Sequence, residues 1–402
     1  MDKKLIIRGL ATISPLGVSA AQVARRLDDP QSRAIQCVAR NDRPIFPLTE
    51  EGEEIVRLVA QEERYVRLDK VSHLALGVAR QTLDLARGRH GEIGCVSIGS
   101  SRGATQSLEG TISAFAHDAS KVPTETSPTT TAGNISSWVA QEILARRSSH
   151  SHGGPLASLS TSMTCSSAFQ SLITALAFVR AGFTTATVFG GSESCLTPYT
   201  IAQLEALRIY ADGGKPWPCR PCGSVSSATN TVALGEAAGT AILMEDDNAE
   251  VEGDLELLGI GWAVEETPTA TGLSADGHAF ERSMKMALEH LGSERKVDTV
   301  VVHAPGSVRG DEAELRAVVR TFGEGVMVCS SKHLTGHTYG ASGMVSMAVA
   351  QAILEGAPWR GFPYESAAGS FIVERSQTVL INTAGFGGNS VSVILGLRKG
   401  VK

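Results

Sequence analysis

Three features of this sequence predict an α/β fold. Short apolar runs alternate along the chain with segments whose apolar residues recur every three or four positions. Glycine is abundant, at 42 residues, while aromatics make up only 5% of the chain, a composition that suits close-packed layers joined by tight turns. At 402 residues the chain is long enough for a large core, as one big domain or as two fused halves.

The elements alternate in chain order. Strand-like runs fall at 5–7, 94–98, 156–159, 186–189, 239–244, 256–260, 299–303, 326–329, 378–382 and 391–397. Helical spacing falls at 20–27, 71–86, 135–145, 166–180, 280–291, 312–322 and 343–354. Strands separated by helices imply parallel sheets covered on both faces.

The sharpest single feature is Cys165. The apolar run 156–159 stops just before it, and the helical pattern of Ala168, Leu172, Ile173, Leu176 and Val179 starts just after it. The thiol therefore sits in a strand-to-helix turn. The partial positive charge and free N–H groups of a helix N-terminus favour thiolate over thiol, which makes Cys165 a candidate nucleophile. The weaker alternative is a buried, inert cysteine.

Three later segments also follow strand-like runs. One is Thr299 to His303, leading into Gly310, Asp311 and Glu314. The second is Val326 to Lys332, leading into Gly336, His337, Gly340 and Gly343. The third ends in Gly385-Phe386-Gly387-Gly388-Asn389. One thiol, two histidines and a lysine at strand ends can form a catalytic constellation. The layout repeats weakly, since Cys165 and Gly340 each precede a Gly/Ala/Ser-rich apolar helix. The polar stretch 245–252 separates the two parts, so a boundary is expected near Asn248, with the acidic run as a solvated turn.

Bulk properties exclude some classes. A net charge of −6 gives no support for nucleic-acid or anionic-membrane binding. Seven scattered cysteines in so large a chain read as reduced and cytosolic. The apolar run before Arg8 is too short for a signal peptide, and no stretch approaches a membrane span. Cys219 and Cys222 form a lone CxxC, which zinc would need two further ligands to use, so they read as ordinary thiols in a turn. No metal and no cofactor is expected.

Taken together and in this order, the segments around Cys165, His303, Lys332, His337 and Gly385 to Gly388 resemble the β-ketoacyl synthase family of condensing enzymes. The opening from Gly9 to Gly17 is similar to the family's first strand and turn. The resemblance spans nearly the whole chain. It implies a thiolase-like fold, in which two similar βαβαβ halves stack in layers of alternating helices and mixed sheets. The halves are expected at 1–248, carrying the cysteine, and 249–402, carrying the histidines and lysine.

The resemblance also implies roles. Cys165 accepts an acyl group, and His303 and His337 donate hydrogen bonds to an enolate oxygen. Lys332 joins a buried network with Glu314 that orients His337. The N–H groups of Phe386 and Cys165 form an oxyanion hole, with the Phe386 ring as a gate, and Gly387 lets backbone approach the thioester. Ser307 faces the pantetheine arm of a carrier protein. His333 matches no family position and reads as incidental.

The departures are informative. Where the family has two threonines after the first histidine, Pro305 and Ser307 stand here, so one hydroxyl is missing. Ala384 is smaller than usual before Gly385 and suggests extra space. Residues 25–65 look short for the family, and 220–229 lack its usual acidic and aromatic residues.

The implied reaction is decarboxylative condensation of an acyl thioester with malonyl-carrier thioester in fatty acid biosynthesis. The implied partners are an acyl carrier protein and a second copy, with a heterodimer as the other arrangement. A specialised polyketide or aryl-polyene ketosynthase is the alternative. A non-catalytic chain-length subunit is disfavoured because Cys165, His303 and His337 are all present. A non-decarboxylating thiolase is disfavoured because the last glycine-rich loop holds no second cysteine.

Overall fold

The computed structural model describes residues 4–29, 38–40, 42–88, 93–130, 132–147, 154–213, 216–223, 229–247, 251–272, 274–292, 295–369 and 372–398. The first part of the chain runs β1 (Leu5–Ile13), α1 (Ala20–Asp28), β2 (Val38–Arg40), β3 (Arg43–Phe46), α2 (Glu50–Ala60), α3 (Lys70–Leu85), β4 (Ile93–Gly99), α4 (Thr105–His117), α5 (Thr126–Thr129), α6 (Ile135–Arg146), β5 (Ala157–Thr161) and α7 (Ser167–Arg180). It continues through β6 (Ala186–Glu193), α8 (Pro198–Ala206), β7 (Leu234–Gly235), β8 (Ala237–Glu245), β9 (Leu255–Val264), α9 (His278–Glu289), β10 (Thr299–Val301) and α10 (Val308–Phe322). The last elements are β11 (Met327–Cys329), α11 (Lys332–Thr335), α12 (Ser342–Leu354), β12 (Val379–Gly385) and β13 (Asn389–Leu397).

Ten strands form one mixed sheet in the order β11-β10-β12-β13-β9-β1-β8-β6-β4-β5. The order reads alike from both ends. The outer trios β5-β4-β6 and β11-β10-β12 are parallel, and the inner strands β8, β1, β9 and β13 are antiparallel. The two halves join where Ile6 and Ile7 of β1 pair with Glu256 and Leu255 of β9. The alternation of strands and helices accounts for the two parallel outer trios, and the four antiparallel strands at the centre make the sheet mixed, as the thiolase-like fold implies.

α7 and α12 share one core with the inner strands of both halves. α3 and α6 cover the other face of the first half, and α9 and α10 that of the second. The result is the layered thiolase-like architecture. The boundary residue Asn248 lies outside the described residues.

Several elements escape the sequence reading, β1 for a tertiary reason and α2 and α8 at their caps. β1 continues past Arg8 because that guanidinium is fully buried, bonding Asp254 at 2.8 and 3.1 Å and Asp247 at 3.0 Å. The pairing of β1 also shifts between Arg8 and Ala11, around Gly9 at φ +65, which disrupts the apolar alternation. α2 starts at Thr49, whose hydroxyl caps Gly52 N, and α8 starts at Thr197 followed by Pro198. Both are ordinary N-terminal signals.

Candidate active site

β5 delivers the chain to the turn that holds Cys165, and α7 leaves it. Thr164, just before the cysteine, has φ +49, a strained value for a β-branched residue. Serine hydroxyls hold the strain in place. Ser167 Oγ donates to Thr164 O at 2.6 Å and accepts from Met163 N at 2.9 Å. Ser166 Oγ has two acceptors in reach of its one proton, Met163 O at 2.9 Å and Asn389 Oδ1. Asn389 in turn donates to Phe386 O at 3.0 Å, so one side chain ties the cysteine turn to the Phe386 turn. Gly385 is required where the two turns meet, because a Cβ there would lie 1.8 Å from Thr164 Oγ1.

His337 Nε2 lies 3.0 Å from Cys165 Sγ. The His303 ring meets the His337 ring edge-on at 5.3 Å between centroids. Burial lowers the pKa of both imidazoles well below the ordinary value, and the Lys332 charge adds to this, so both are neutral. The Nδ1 atoms of both rings are buried without a hydrogen-bond partner.

Burial pushes the Cys165 thiol up to about 12, with the negative field of Glu193 adding and Lys332 opposing. This corrects the expectation of a resting thiolate. The helix end is outweighed by removal of the sulfur from water. The resting pair is a thiol beside a neutral imidazole that can take its proton.

The Lys332–Glu314 expectation is also corrected. Glu314 accepts from His303 N at 2.8 Å, Ala304 N at 2.7 Å and Asn382 Nδ2 at 3.1 Å. Lys332 Nζ donates to the His303 carbonyl. Both residues therefore clamp the backbone of the His303 loop, and they attract each other only through space. Asp311 extends the clamp, accepting from Gly306 N, Ser307 N at 3.1 Å and Cys222 N at 2.9 Å. His337 is held instead by its own backbone, with N–H to Ala233 O at 2.7 Å. Glu314→Gln turns an acceptor carboxylate into an amide whose NH2 faces N–H donors. It is expected to lower the unfolding free energy by about 1–3 kcal/mol, read from a denaturant titration.

Cys165, His303, His337, Pro305, Ser307, Ala384, Gly385 and Phe386 line one cavity of about 580 Å3. Phe386 is half-buried and Gly387 exposed, at φ +89 in the turn between β12 and β13. A larger crevice of about 820 Å3, lined by charged residues such as Lys4, Glu256, Arg295 and Arg398, contains none of these groups. Cys219 and Cys222 are buried beneath the His303 loop, with Cys219 Sγ 3.7 Å from Pro305 O. His333 is buried too, edge-on to Trp217, Phe362 and Tyr364. Among the described residues no group of His, Cys, Asp or Glu is arranged to hold a metal, and no helix is long and apolar enough to cross a membrane.

Two residues of the site escaped the sequence reading. Tyr339 lines the cavity and stacks on His337, with centroids 5.1 Å apart. Glu193 ends the buried strand β6 and accepts from Ser101 N, Arg102 N, Gly340 N and Ser100 Oγ. A charged residue closing a strand of otherwise small and apolar residues was the available signal for Glu193.

Comparison with known proteins matches residues 57–249 to the β-ketoacyl synthase N-terminal domain and residues 255–358 to its C-terminal domain. A 3-oxoacyl-[acyl-carrier-protein] synthase 2 from Vibrio harveyi is 25% identical over 85% of this chain and 84% of its own. A spectinabilin polyketide synthase protein from Streptomyces orinoci is 28% identical over 54% of this chain, which spans only 10% of that protein. A putative mitochondrial 3-oxoacyl-[acyl-carrier-protein] synthase from Schizosaccharomyces pombe is 26% identical over 58% of this chain and 60% of its own. Among solved structures, a β-ketoacyl synthase from Burkholderia phymatum overlays with a TM-score of 0.79 at 21% identity, covering 99% of this chain and 100% of that one. The ishigamide ketosynthase/chain length factor overlays at 0.81 and 19% identity, covering 99% and 100%.

Proposed function

This chain belongs to the β-ketoacyl synthase family of condensing acyltransferases, and from that premise we propose that it elongates carrier-bound acyl chains with malonyl-carrier thioester. The observation that carries the reading is the 3.0 Å contact between Cys165 Sγ and a neutral His337, with His303 beside it in one cavity.

The thiol attacks the acyl thioester carbonyl, and its proton passes to His337 Nε2 as the new C–S bond forms. The N–H groups of Cys165 and Phe386 receive the developing oxyanion. His337 then protonates the departing carrier thiolate, leaving an acyl-cysteine and a neutral ring. Malonyl thioester enters next and loses CO2. Its enolate oxygen accepts hydrogen bonds from His303 and, once the neutral ring carries its one proton on Nε2, from His337, and its carbon attacks the acyl-cysteine. The Cys165 thiolate leaves and recovers a proton from solvent. Lys332, Glu314 and Asp311 hold the His303 loop through these steps, and burial, helped by the Lys332 charge, makes the protonated His337 ring give its proton up readily and return to neutral.

We assign the nucleophilic cysteine to the half 1–248 and the two histidines and the lysine to the half 249–402, with the reaction running between them. The partners in this reading are an acyl carrier protein and a second copy of the chain, in the cytoplasm. β5 supports the second copy, since it is an edge strand with an exposed row of backbone groups and exposed Leu159 and Met163 beside it. A specialised polyketide-type role is the second reading. It is favoured by Pro305 and Ala384 at the cavity and by the ketosynthase/chain length factor fold neighbours.

Pro305 offers neither hydroxyl nor N–H to a pantetheine arm. A neutral hydrogen bond contributes about 0.5–1.5 kcal/mol, or up to about tenfold in binding. Recognition is therefore expected to shift to the carrier's protein surface, with kcat/KM about tenfold or more higher for carrier-bound acyl groups than for the same groups on coenzyme A. Equal values would place the missing contact elsewhere in the cavity. An acyl adduct on Cys165 by mass spectrometry, followed by a β-ketoacyl product once malonyl-carrier is added, tests the reading itself. Absence of both would remove it.

A further inference from the structure

Tyr339 shares both a cavity and an apolar cluster with Cys165. It lines the same cavity as the thiol, stacks on His337 and is 7% exposed. In the apolar cluster it shares with Cys165 stand Cys195, Ile201 and Leu204, which are 0%, 3% and 5% exposed. Cys195 and Ile201 do not line this cavity, whereas Tyr339 and Leu204 do, so its wall here is formed by the tyrosine and the leucine.

The wall is also stiff. Tyr339 has φ +43, a value that a bulky residue keeps only when its surroundings enforce it. Ser342 Oγ donates to Tyr339 O at 2.6 Å. The next N–H, of Gly340, donates to Glu193 Oε2 at 3.0 Å, and the same carboxylate oxygen takes Ser101 N at 2.7 Å. Gly340 packs so closely on this loop that a Cβ would lie 2.6 Å from Ser101 N. The segment has no room to swing aside. The Tyr339 hydroxyl makes no hydrogen bond to a described residue, so the ring's bulk, rather than its polarity, fills the space.

We propose that Tyr339 is a specificity-determining wall that restricts Cys165 to short acyl tails. The inference rests on the condensing reading above. A methylene that a pocket cannot hold typically lowers kcat/KM by about 10–200-fold, so a longer tail meets a steep barrier here.

The test uses the intact protein with acetyl, butyryl, octanoyl and dodecanoyl groups on acyl carrier protein. Loading of Cys165 is followed by mass spectrometry, and the octanoyl-to-acetyl rate ratio is taken within each variant. The wild type is expected to load acetyl and butyryl and to disfavour octanoyl by roughly tenfold or more. Tyr339→Leu, and Tyr339→Asn, whose short side chain tolerates positive φ, are expected to raise that ratio by about tenfold. Tyr339→Phe, which keeps the ring, is expected to leave it unchanged. An unchanged ratio in the soluble Leu or Asn protein, or a Phe variant that shifts as far as Leu, would overturn the wall. Failure of every acyl group to load wild-type Cys165 would instead overturn the condensing reading.

Discussion

Cys165→Ala is expected to abolish acyl loading and condensation while malonyl-thioester decarboxylation stays measurable. The two activities separate because they use different atoms. Loading requires the sulfur as the bond-forming atom, and no second cysteine lines the cavity. Cys195 is fully buried, and burial together with Glu193 pushes its thiol well above the ordinary range. Loss of a catalytic nucleophile typically costs about six orders of magnitude, which puts residual loading below detection by mass spectrometry. Decarboxylation requires only donors for the enolate oxygen, and His303 and His337 remain. Release of CO2 from malonyl-carrier, assayed beside acyl loading, gives both readouts from one preparation. An alanine protein that still elongates would overturn the assignment of the nucleophile.

The pH dependence of wild-type alkylation adds a check. A thiol whose pKa is raised to about 12 is protonated throughout the neutral range. Raising the pH increases the thiolate fraction, so the rate with a small alkylating agent is expected to climb by about tenfold per unit without levelling off near pH 8. A plateau near neutrality would mean that a thiolate is already present.

The alternation of strand and helix, and with it the layered α/β fold, was legible because both halves bury their strands under regular apolar helices. Apart from the locally capped α2 and α8, what escaped was tertiary in origin. Arg8 reads as the end of a strand until Asp254 and Asp247 are found around it from remote parts of the chain. α4 buries only Thr105, so its apolar residues leave no usable periodic signal. In the site, Cys165, His303 and His337 were legible as reactive residue types at strand ends. The thiol's protonation state was not, because the helix end is a local feature while the burial that outweighs it is not. The partner of Lys332 was misassigned for a related reason. A lysine and a glutamate suggest an ion pair in sequence, but here backbone N–H groups reach the carboxylate and a backbone carbonyl reaches the ammonium. Tyr339 carried no signal, since its effect depends on the space it fills.

The second large effect is expected at the histidines. Alanine at either His303 or His337 removes a donor from the enolate oxygen, a loss that typically costs about 10²–10³-fold. Decarboxylation is therefore expected to fall by about that factor in each variant. The two should then diverge in acyl loading. His337 Nε2 is the atom 3.0 Å from the thiol, and it has no substitute as proton acceptor within that distance. The His303 ring contacts His337 rather than the sulfur. His303→Ala is thus expected to load Cys165 at close to the wild-type rate. His337→Ala is expected to load it more slowly by about 10²–10⁴-fold, the usual range for a general base. Its loading should recover as pH rises, because hydroxide takes over the deprotonation of a high-pKa thiol. Single-turnover loading and CO2 release, measured on both proteins between pH 7 and pH 10, separate the two roles. If both variants loaded and decarboxylated alike, the histidines would share one function, and the division of labour drawn from their distances to Cys165 would be wrong.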